Sequence, residues 1–538
     1  MSLPQPAVPT RGDAPGSGSG SLPRPGPKRY AVLDLGSTTF QLLVADGEPD
    51  GTVTPVLRDR EVLNLGLVLG EEGQIPEDVA ARAADTARRL RDVGIRAGAK
   101  EVLAIATSAL RDSPNRQELA DLLTDAVGGP VRFIDGPEEA RLTFAGVAAS
   151  VALGSGPTLQ LDLGGGSLEV ALADERGLRW GASLPVGAGR LTGLLIEGDP
   201  PTRAERKQVR SEVEEALEPL VSRVKQAQPE RFVASGGTVG ALGRLIAAER
   251  WEVPPESLNQ LEIPIEDLLA VTRTIAALTL KERLKLRGID ERRAEILPAG
   301  GWILTTAASL FGAESLIHSE WGLREGVVLD ALGLAGSPPP SPEDLRARSV
   351  QRLVRVWGED PAHVDIVARV AGRLFDETAD LHGLGILEAE WLEHAARLHE
   401  IGTAISPAKF HKHGAYLVEH SGIRGFSPEE IASIATIVRF QRGKDPRAVY
   451  PPFAGLAERA QYACVVLVAL LRVAHPIARG LEGEALDVSA EVDDGMLRIA
   501  VSGAVDPQSA VLEARQNVGL LERALGRTVE VDARVTAP

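Results

Sequence analysis

Residues 30–39, YAVLDLGSTT, return in outline at residues 158–167 as TLQLDLGGGS. In each copy an apolar, β-rich run ends in Asp-Leu-Gly and passes into small and hydroxyl residues: Asp34-Leu35-Gly36-Ser37-Thr38, then Asp162-Leu163-Gly164-Gly165-Gly166-Ser167. Such a run predicts a strand entering a tight turn. The two copies lie 128 residues apart, counted from Asp34 to Asp162, and predict an internal duplication. Around the first lie TFQLLVADG (39–47), a helix-length segment from Pro76 to about Arg96, and EVLAIATSAL (101–110). Around the second lie LEVALADERG (168–177), RFVASGG (231–237) and TVGALGRLIAAER (238–250). Strands alternating with helices predict two α/β domains.

The chain has 538 residues, 58 Lys plus Arg against 75 Asp plus Glu, and a net charge of −17. That balance argues against general nucleic-acid binding. Hydrophobic residues make up 44%, enough for several cores, and aromatics only 4%, which suits parallel strands covered by helices. The single Cys464 excludes an internal disulfide framework. No uninterrupted apolar run reaches the roughly 18 residues of a membrane span, and the N-terminus lacks a secretory apolar segment. The expectation is a cytoplasmic protein without membrane contact.

Residues 1–28 read as a Pro/Gly/Ser tail, 29–148 as the first α/β domain and 149–332 as the second. The segment GLAGSPPPSPED (333–344) reads as a linker. Residues 345–480 carry 3.6-residue periodicity, as in VDIVARVAGRLFDETADL and EWLEHAARLHEIG, and predict helices. Residues 481–538 read as strand, strand, helix, strand, a small α/β segment.

The two Gly turns point to phosphate. Glycine lets successive N–H groups of Gly36-Ser37-Thr38 and Gly164-Gly165-Gly166-Ser167 converge on one space, and the hydroxyls add donors. Asp34 and Asp162 supply the one or two carboxylates that Mg²⁺ needs beside phosphate oxygens. A lone Gly turn is as well explained by sterics; two matched copies predict loops that grip a phosphate chain from both sides. This is the arrangement of the actin-like phosphotransferase fold, shared by acetate kinase, sugar kinases and heat-shock ATPases.

Further segments follow in order: ATSALRD (106–112), IDGPEEAR (134–141), ASGGT (234–238), LPAG (297–300) and LREGV (323–327). Together with both loops they resemble the exopolyphosphatase and guanosine pentaphosphate phosphohydrolase (Ppx/GppA) family. The resemblance implies two actin-like, ribonuclease H-like domains around a cleft, an all-α HD-like domain, and a homodimer. It places the catalytic base on Glu139, whose plain reading is a helix-start acid after Pro137. It makes Asp162 and Glu169 neighbours of Mg²⁺, with Asp34 contributing from the first loop. Arg111 follows a strand end, where it either binds phosphate bidentately or pairs with Asp112. Gly236 and Gly237 border the outer cleft. Thr38 and Leu168 depart from the family's usual Asn and Thr.

The implied activity is hydrolysis of the terminal phosphoanhydride of inorganic polyphosphate. Conversion of guanosine pentaphosphate to tetraphosphate uses the same residues. A small-molecule kinase and a non-catalytic alarmone sensor are further readings. In the helical part, His363, His399-Glu400, His411 and His413 resemble the His-Asp metal phosphohydrolases. Glu400 and His475 stand where those enzymes carry Asp, so the expectation is a structural domain without a working metal centre. Lys409, Lys412, His413, Arg439 and Arg442 form basic clusters, either a solvated face or a track for polyphosphate.

Overall fold

The computed structural model describes residues 26–358, 361–479, 487–493, 495–503 and 507–535. Residues 1–25 of the expected tail lie outside them, and Lys28 already belongs to the first strand. Strands β1 (Lys28–Leu35), β2 (Thr39–Gly47) and β3 (Val53–Val62) form an antiparallel meander. On the other side of β1, β4 (Glu101–Ala106) and β5 (Val131–Phe133) run parallel to it, giving the order β3-β2-β1-β4-β5.

The second sheet repeats the plan. Strands β6 (Thr158–Leu163), β7 (Leu168–Asp174) and β8 (Gly177–Leu184) are the meander, and β9 (Arg231–Ser235) and β11 (Ser315–Ser319) are the parallel strands. A short β10 (Glu262–Pro264) extends the edge. Even the register repeats: Asp34 faces Gln41 and Leu35 faces Phe40, as Asp162 faces Glu169 and Leu163 faces Leu168. The duplication read from the two loops is therefore a duplication of sheets. The sheets are mixed rather than parallel, because each loop joins two antiparallel strands.

Strand β1 is buried on both faces, which its continuous apolar run requires: Ala31, Val32, Leu33 and Leu35 are fully buried. Helix Glu77–Arg96 covers one face through Val79, Ala80, Ala83, Ala84, Ala87 and Leu90, spaced at helical period. The edge strand β3 is absent from the sequence reading, since Pro55 and the run Arg58-Asp59-Arg60-Glu61 lack strand-like alternation of apolar residues. Its alternation is one of charge. Arg58 and Arg60 pair with Glu325 and Asp290 on one face, while Asp59 and Glu61 pair with Arg89 on the other.

Helix Gly136–Ala148 and helix Leu323–Ala331 cross with their backbones in contact. A β-carbon on Gly146 would lie 2.0 Å from the carbonyl oxygen of Gly322, and one on Gly326 would lie 1.7 Å from that of Leu142. Only glycine fits at either position. The crossing ties the two sheets together, since each helix packs beside β1 or β8 and carries charged residues in its first turn.

Residues 333–340 stay non-helical, and a helix restarts at Pro342, where Ser341 accepts from the Asp344 amide. The end of the expected linker is thus the first turn of helix Pro342–Trp357. Helix Glu458–Arg479 is, among the described residues, the one helix long and apolar enough to cross a membrane. Here it is the centre of a core. Leu467, Leu470 and Leu471 are fully buried, and the Arg472 guanidinium is neutralised by Asp445 and bonded to the carbonyls of Phe440 and Lys444.

Strands β12 (Asp487–Asp493), β13 (Met496–Gly503) and β14 (Val529–Val535) form a three-stranded sheet whose Leu497, Ile499, Val501 and Val531 share that core. The helix expected between β13 and β14 is two, Gln508–Arg515 and Gly519–Leu525. Contacts of the helical part to the preceding domains include Arg424, which stacks on Trp321 at 4.5 Å and faces Glu320 at 3.6 Å, and Gly425 N, which donates to Ser150 O at 3.2 Å.

Substituting Gly326→Ala forces the two crossing helices apart. The expected loss is about 3 kcal/mol of stability in a denaturant titration, with Gly129→Ala, which has open space around it and no left-handed backbone, as the comparison for overpacking. Equal stability of Gly326→Ala and the parent would refute the contact.

Candidate active site

Each Gly turn is braced from behind by the start of a short helix. In the first, the carbonyl of Ser37 accepts from Gly66 N at 2.8 Å and that of Thr38 from Leu63 N and Asn64 N, at the entry to helix Leu65–Glu72. In the second, the carbonyls of Gly164, Gly165 and Gly166 accept from the amides of Ala188, Arg190 and Gly187 at 3.1, 2.8 and 3.3 Å. Those donors open helix Ala188–Leu195 and would otherwise lack partners. Because a planar peptide holds its N–H opposite its C=O, the amides of Thr38, Gly165 and Gly166 turn away from the bracing helices. They donate to no group among the described residues. Gly36 N and Gly164 N close the turns onto Thr39 and Ser167 and are not available.

The two turns meet. A β-carbon on Gly165 would lie 1.7 Å from Thr38 Oγ1, and one on Gly166 would lie 2.4 Å from Ser108 Oγ and 2.5 Å from Ser37 Oγ. Ser37 itself is part of the fold: its hydroxyl accepts from Ala109 N at 3.1 Å and lies 2.7 Å from Ser108 Oγ. Leu168 is fully buried in the second core, so its departure from the family pattern touches no ligand.

Four carboxyl groups gather at this seam: Asp34, Glu139 and Glu169, which are buried, and Asp162, which is half-buried. Burial, with Asp162 and Glu325 nearby and against the pull of Arg324, raises Asp34 to about 6. Burial and Asp162 raise Glu169 to about 7, although Ser183 donates to it at 2.7 Å. Burial also raises Asp162, whose Oδ1 accepts from Ser235 at 2.6 Å. Glu139 is held well above its ordinary value by burial first and Glu169 second, opposed by Arg111. Hard oxygen donors that repel one another in a buried place form a set that a divalent cation would relieve, and Mg²⁺ fits it.

Glu138 and Glu139 diverge because they are adjacent on a helix whose N-terminus Asp135 caps. Glu138 faces outward to Arg132 and Arg141. Glu139 faces inward and accepts from Arg111 Nη1 at 3.2 Å. Arg111 also pairs through its Nε with Asp112 at 2.9 Å, the second of its two readings.

A cavity of about 1340 Å³ runs from Asp34 and Asp162, past Gly236 and Gly237, to the helical part of the chain. Among the described residues, eleven arginines and no lysine line it, including Arg58, Arg60, Arg293, Arg324, Arg352 and Arg424, together with eight carboxylates of which Glu325, Asp290 and Glu320 pair with some of these arginines. Burial lowers Arg293 to about 10, and Arg60, Arg324 and Arg244 add repulsion against the attraction of Asp290. Burial likewise brings Arg424 to about 10. Cations crowded to this degree favour a bound polyanion.

Sequence reading missed them because they come from separate strands, helices and loops. Arg141 and Arg324 stood in quoted motifs and Arg176 and Arg244 in quoted segments, but nothing in those segments brought the four together. Lys409, Lys412, His413, Arg439 and Arg442 do not line this cavity. They gather with His411 around Phe410 and Tyr450, where Arg439 stacks on Tyr450 at 4.5 Å. His363, His399, Glu400 and His475 converge elsewhere in the helical part.

Comparison with known proteins agrees with this geometry. The profile of the Ppx/GppA phosphatase family matches residues 43–335, and that of Ppx/GppA phosphatase domain III matches residues 345–501. Exopolyphosphatase 1 of Mycobacterium tuberculosis is 31% identical over 345 residues, covering 64% of this chain and 99% of that protein. Exopolyphosphatase 1 of Mycobacterium leprae is 30% identical over 305 residues, covering 56% and 89%. The crystal structure of an exopolyphosphatase from Cytophaga hutchinsonii superposes with a TM-score of 0.53 at 28% identity, over 57% of this chain and 98% of that one.

The raised carboxyl groups fix the sign of the pH response. Between 4.5 and about 7 the folded chain keeps a proton on Glu169 that the unfolded chain has released, so stability falls as pH rises through that window. Thermal unfolding in EDTA should show this fall, and millimolar Mg²⁺ should raise the midpoint more at pH 8 than at pH 5. A Mg²⁺ effect independent of pH would count against these acids as its ligands.

Proposed function

The chain belongs to the Ppx/GppA phosphatase family, and on that premise we propose that it is an exopolyphosphatase that releases orthophosphate from the end of inorganic polyphosphate. The observation that carries this reading is the arginine-lined cavity that reaches Asp34 and Asp162 at the seam. Its volume of about 1340 Å³ and its spread of arginines suit a polymer of repeating anions better than a single nucleotide, and guanidinium forks match phosphate oxygens two at a time.

In this reading the amides of Thr38, Gly165 and Gly166 hold the terminal phosphate, and Arg324 and Arg111 offset the charge on its oxygens. Glu139 receives a proton from the attacking water. The water oxygen bonds to the terminal phosphorus as the bond to the bridging oxygen breaks, leaving orthophosphate and a chain one unit shorter. A carboxylate with a raised proton affinity is a stronger base than an ordinary one, which suits Glu139 to this step. Asp34, Asp162 and Glu169 are the residues that would hold Mg²⁺, which when bound neutralises phosphate charge. Arg352, Arg424 and their neighbours would hold the polymer behind the reacting unit.

Glu139→Gln should lower kcat for phosphate release from long-chain polyphosphate by about 10²- to 10⁴-fold. Glu138→Gln, which removes only a surface-facing pair, should stay within about threefold of the parent. Equal loss in the two variants would remove Glu139 from the role of base.

Arg352→Gln should raise KM for long chains about tenfold while leaving tripolyphosphate nearly unchanged. A KM for long chains that does not move would detach the cavity from the substrate path.

A further inference from the structure

The helical part brings together three imidazoles and a carboxylate from three elements. His363 lies on helix Pro361–Glu377, His399 caps the end of helix Ile386–Leu398 with Glu400 beside it, and His475 lies on helix Glu458–Arg479. One ligand atom from each falls within 4.8 Å of all the others. From Glu400, the carboxylate oxygens lie 3.5 Å from His475 Nε2, 3.7 Å from His399 Nε2 and 3.9 Å from His363 Nε2. These separations are too long for good hydrogen bonds. They lie a few tenths of an ångström above the ~3.4 Å edge of a tetrahedron with metal–nitrogen bonds of about 2.1 Å.

The surroundings prepare the imidazoles for this. His399 is fully buried, and its Nδ1 lies 2.6 Å from the carbonyl oxygen of Ala396. That contact places the ring proton on Nδ1 and leaves the Nε2 lone pair facing the cluster, the orientation that backbone carbonyls impose on metal-ligating histidines. Gln441 fixes the same residue from the other side by donating to the His399 carbonyl at 2.5 Å. The Nε2 atoms of His399 and His475 are buried and have no hydrogen-bond partner, a condition that needs a compensating group. His475 and Glu400 keep 23% and 34% side-chain exposure, which leaves the cluster a route to solvent.

We propose that His363, His399, Glu400 and His475 bind one divalent first-row transition ion, of the Zn²⁺ class, at a site separate from the cleft. Three imidazole nitrogens select such an ion over Mg²⁺ or Ca²⁺, which prefer oxygen donors. None of the four residues lines the arginine cavity. The sequence comparison treated Glu400 and His475 as losses from a His-Asp pattern. In space they complete a different donor set.

The test uses the untagged full chain, stripped with EDTA and titrated with Co²⁺ and then Zn²⁺ in the presence of millimolar Mg²⁺. The expected result is one equivalent of Co²⁺ with visible d–d bands, abolished by one equivalent of Zn²⁺, and a thermal midpoint raised by Zn²⁺. His475→Gln and Glu400→Gln, both at partly exposed positions, should weaken Zn²⁺ binding at least about 100-fold without lowering the Zn²⁺-free midpoint. His411→Gln and Asp162→Asn should bind as the parent does. Absence of the d–d bands in the parent, parental affinity in His475→Gln and Glu400→Gln, or loss of the ion in Asp162→Asn would each overturn the proposal.

Discussion

Two polypeptide turns meet where there is no room for a side chain, and the rest of the molecule is arranged to keep them there. Gly165 and Gly166 lie against Thr38, Ser37 and Ser108 at distances that no β-carbon tolerates. Behind each turn a helix start absorbs the carbonyls, so the remaining N–H groups have one direction left. The sheets place an acid at the end of β1 and another at the end of β6, in matching register, so the seam is acidic by construction. Its acids are kept from full ionisation by burial and by one another, an arrangement of charge that a cation would relieve.

Much of the fold was legible because it rests on short-range patterns. The runs ending at Leu35 and Leu163 are apolar throughout, and the buried strands they predict are the strands that form. Edge strands were illegible for the opposite reason: β3 owes its place to β2 and its charges to partners on distant segments, so its own sequence alternates in sign rather than polarity. In the site, Glu139 could be named from its motif, but its separation from Glu138 is a matter of helix phase that only the fold displays. Arg60, Arg293 and Arg424 had no local signal. Their proximity is produced by three elements that are far apart in the chain.

The net charge of −17 describes the surface average and misleads about the interior. Surface acids screen and solubilise, whereas the cavity gathers guanidinium groups whose fields add. An acidic protein can therefore admit a polyanion along one path and reject it elsewhere. The basic clusters visible in sequence, around Phe410, do not line this cavity, because neighbours in the chain need not share a cavity lined from distant segments.

The glycine crossing of the two helices also sets a mechanical ratio. The contacts Gly146–Gly322 and Leu142–Gly326 centre the crossing near Phe144 of one helix, about 7.5 Å along from Glu139, and at Arg324 itself on the other. A rocking of about 5° around that centre would displace the helix at Glu139 by about 0.7 Å and leave it nearly still at Arg324. The crossing thus behaves as an unequal lever with its long arm on Glu139, and misalignments near 1 Å are enough to cost about a hundredfold in rate. A change far from the seam that alters how these two helices touch would detune the reaction while leaving every participating side chain in place.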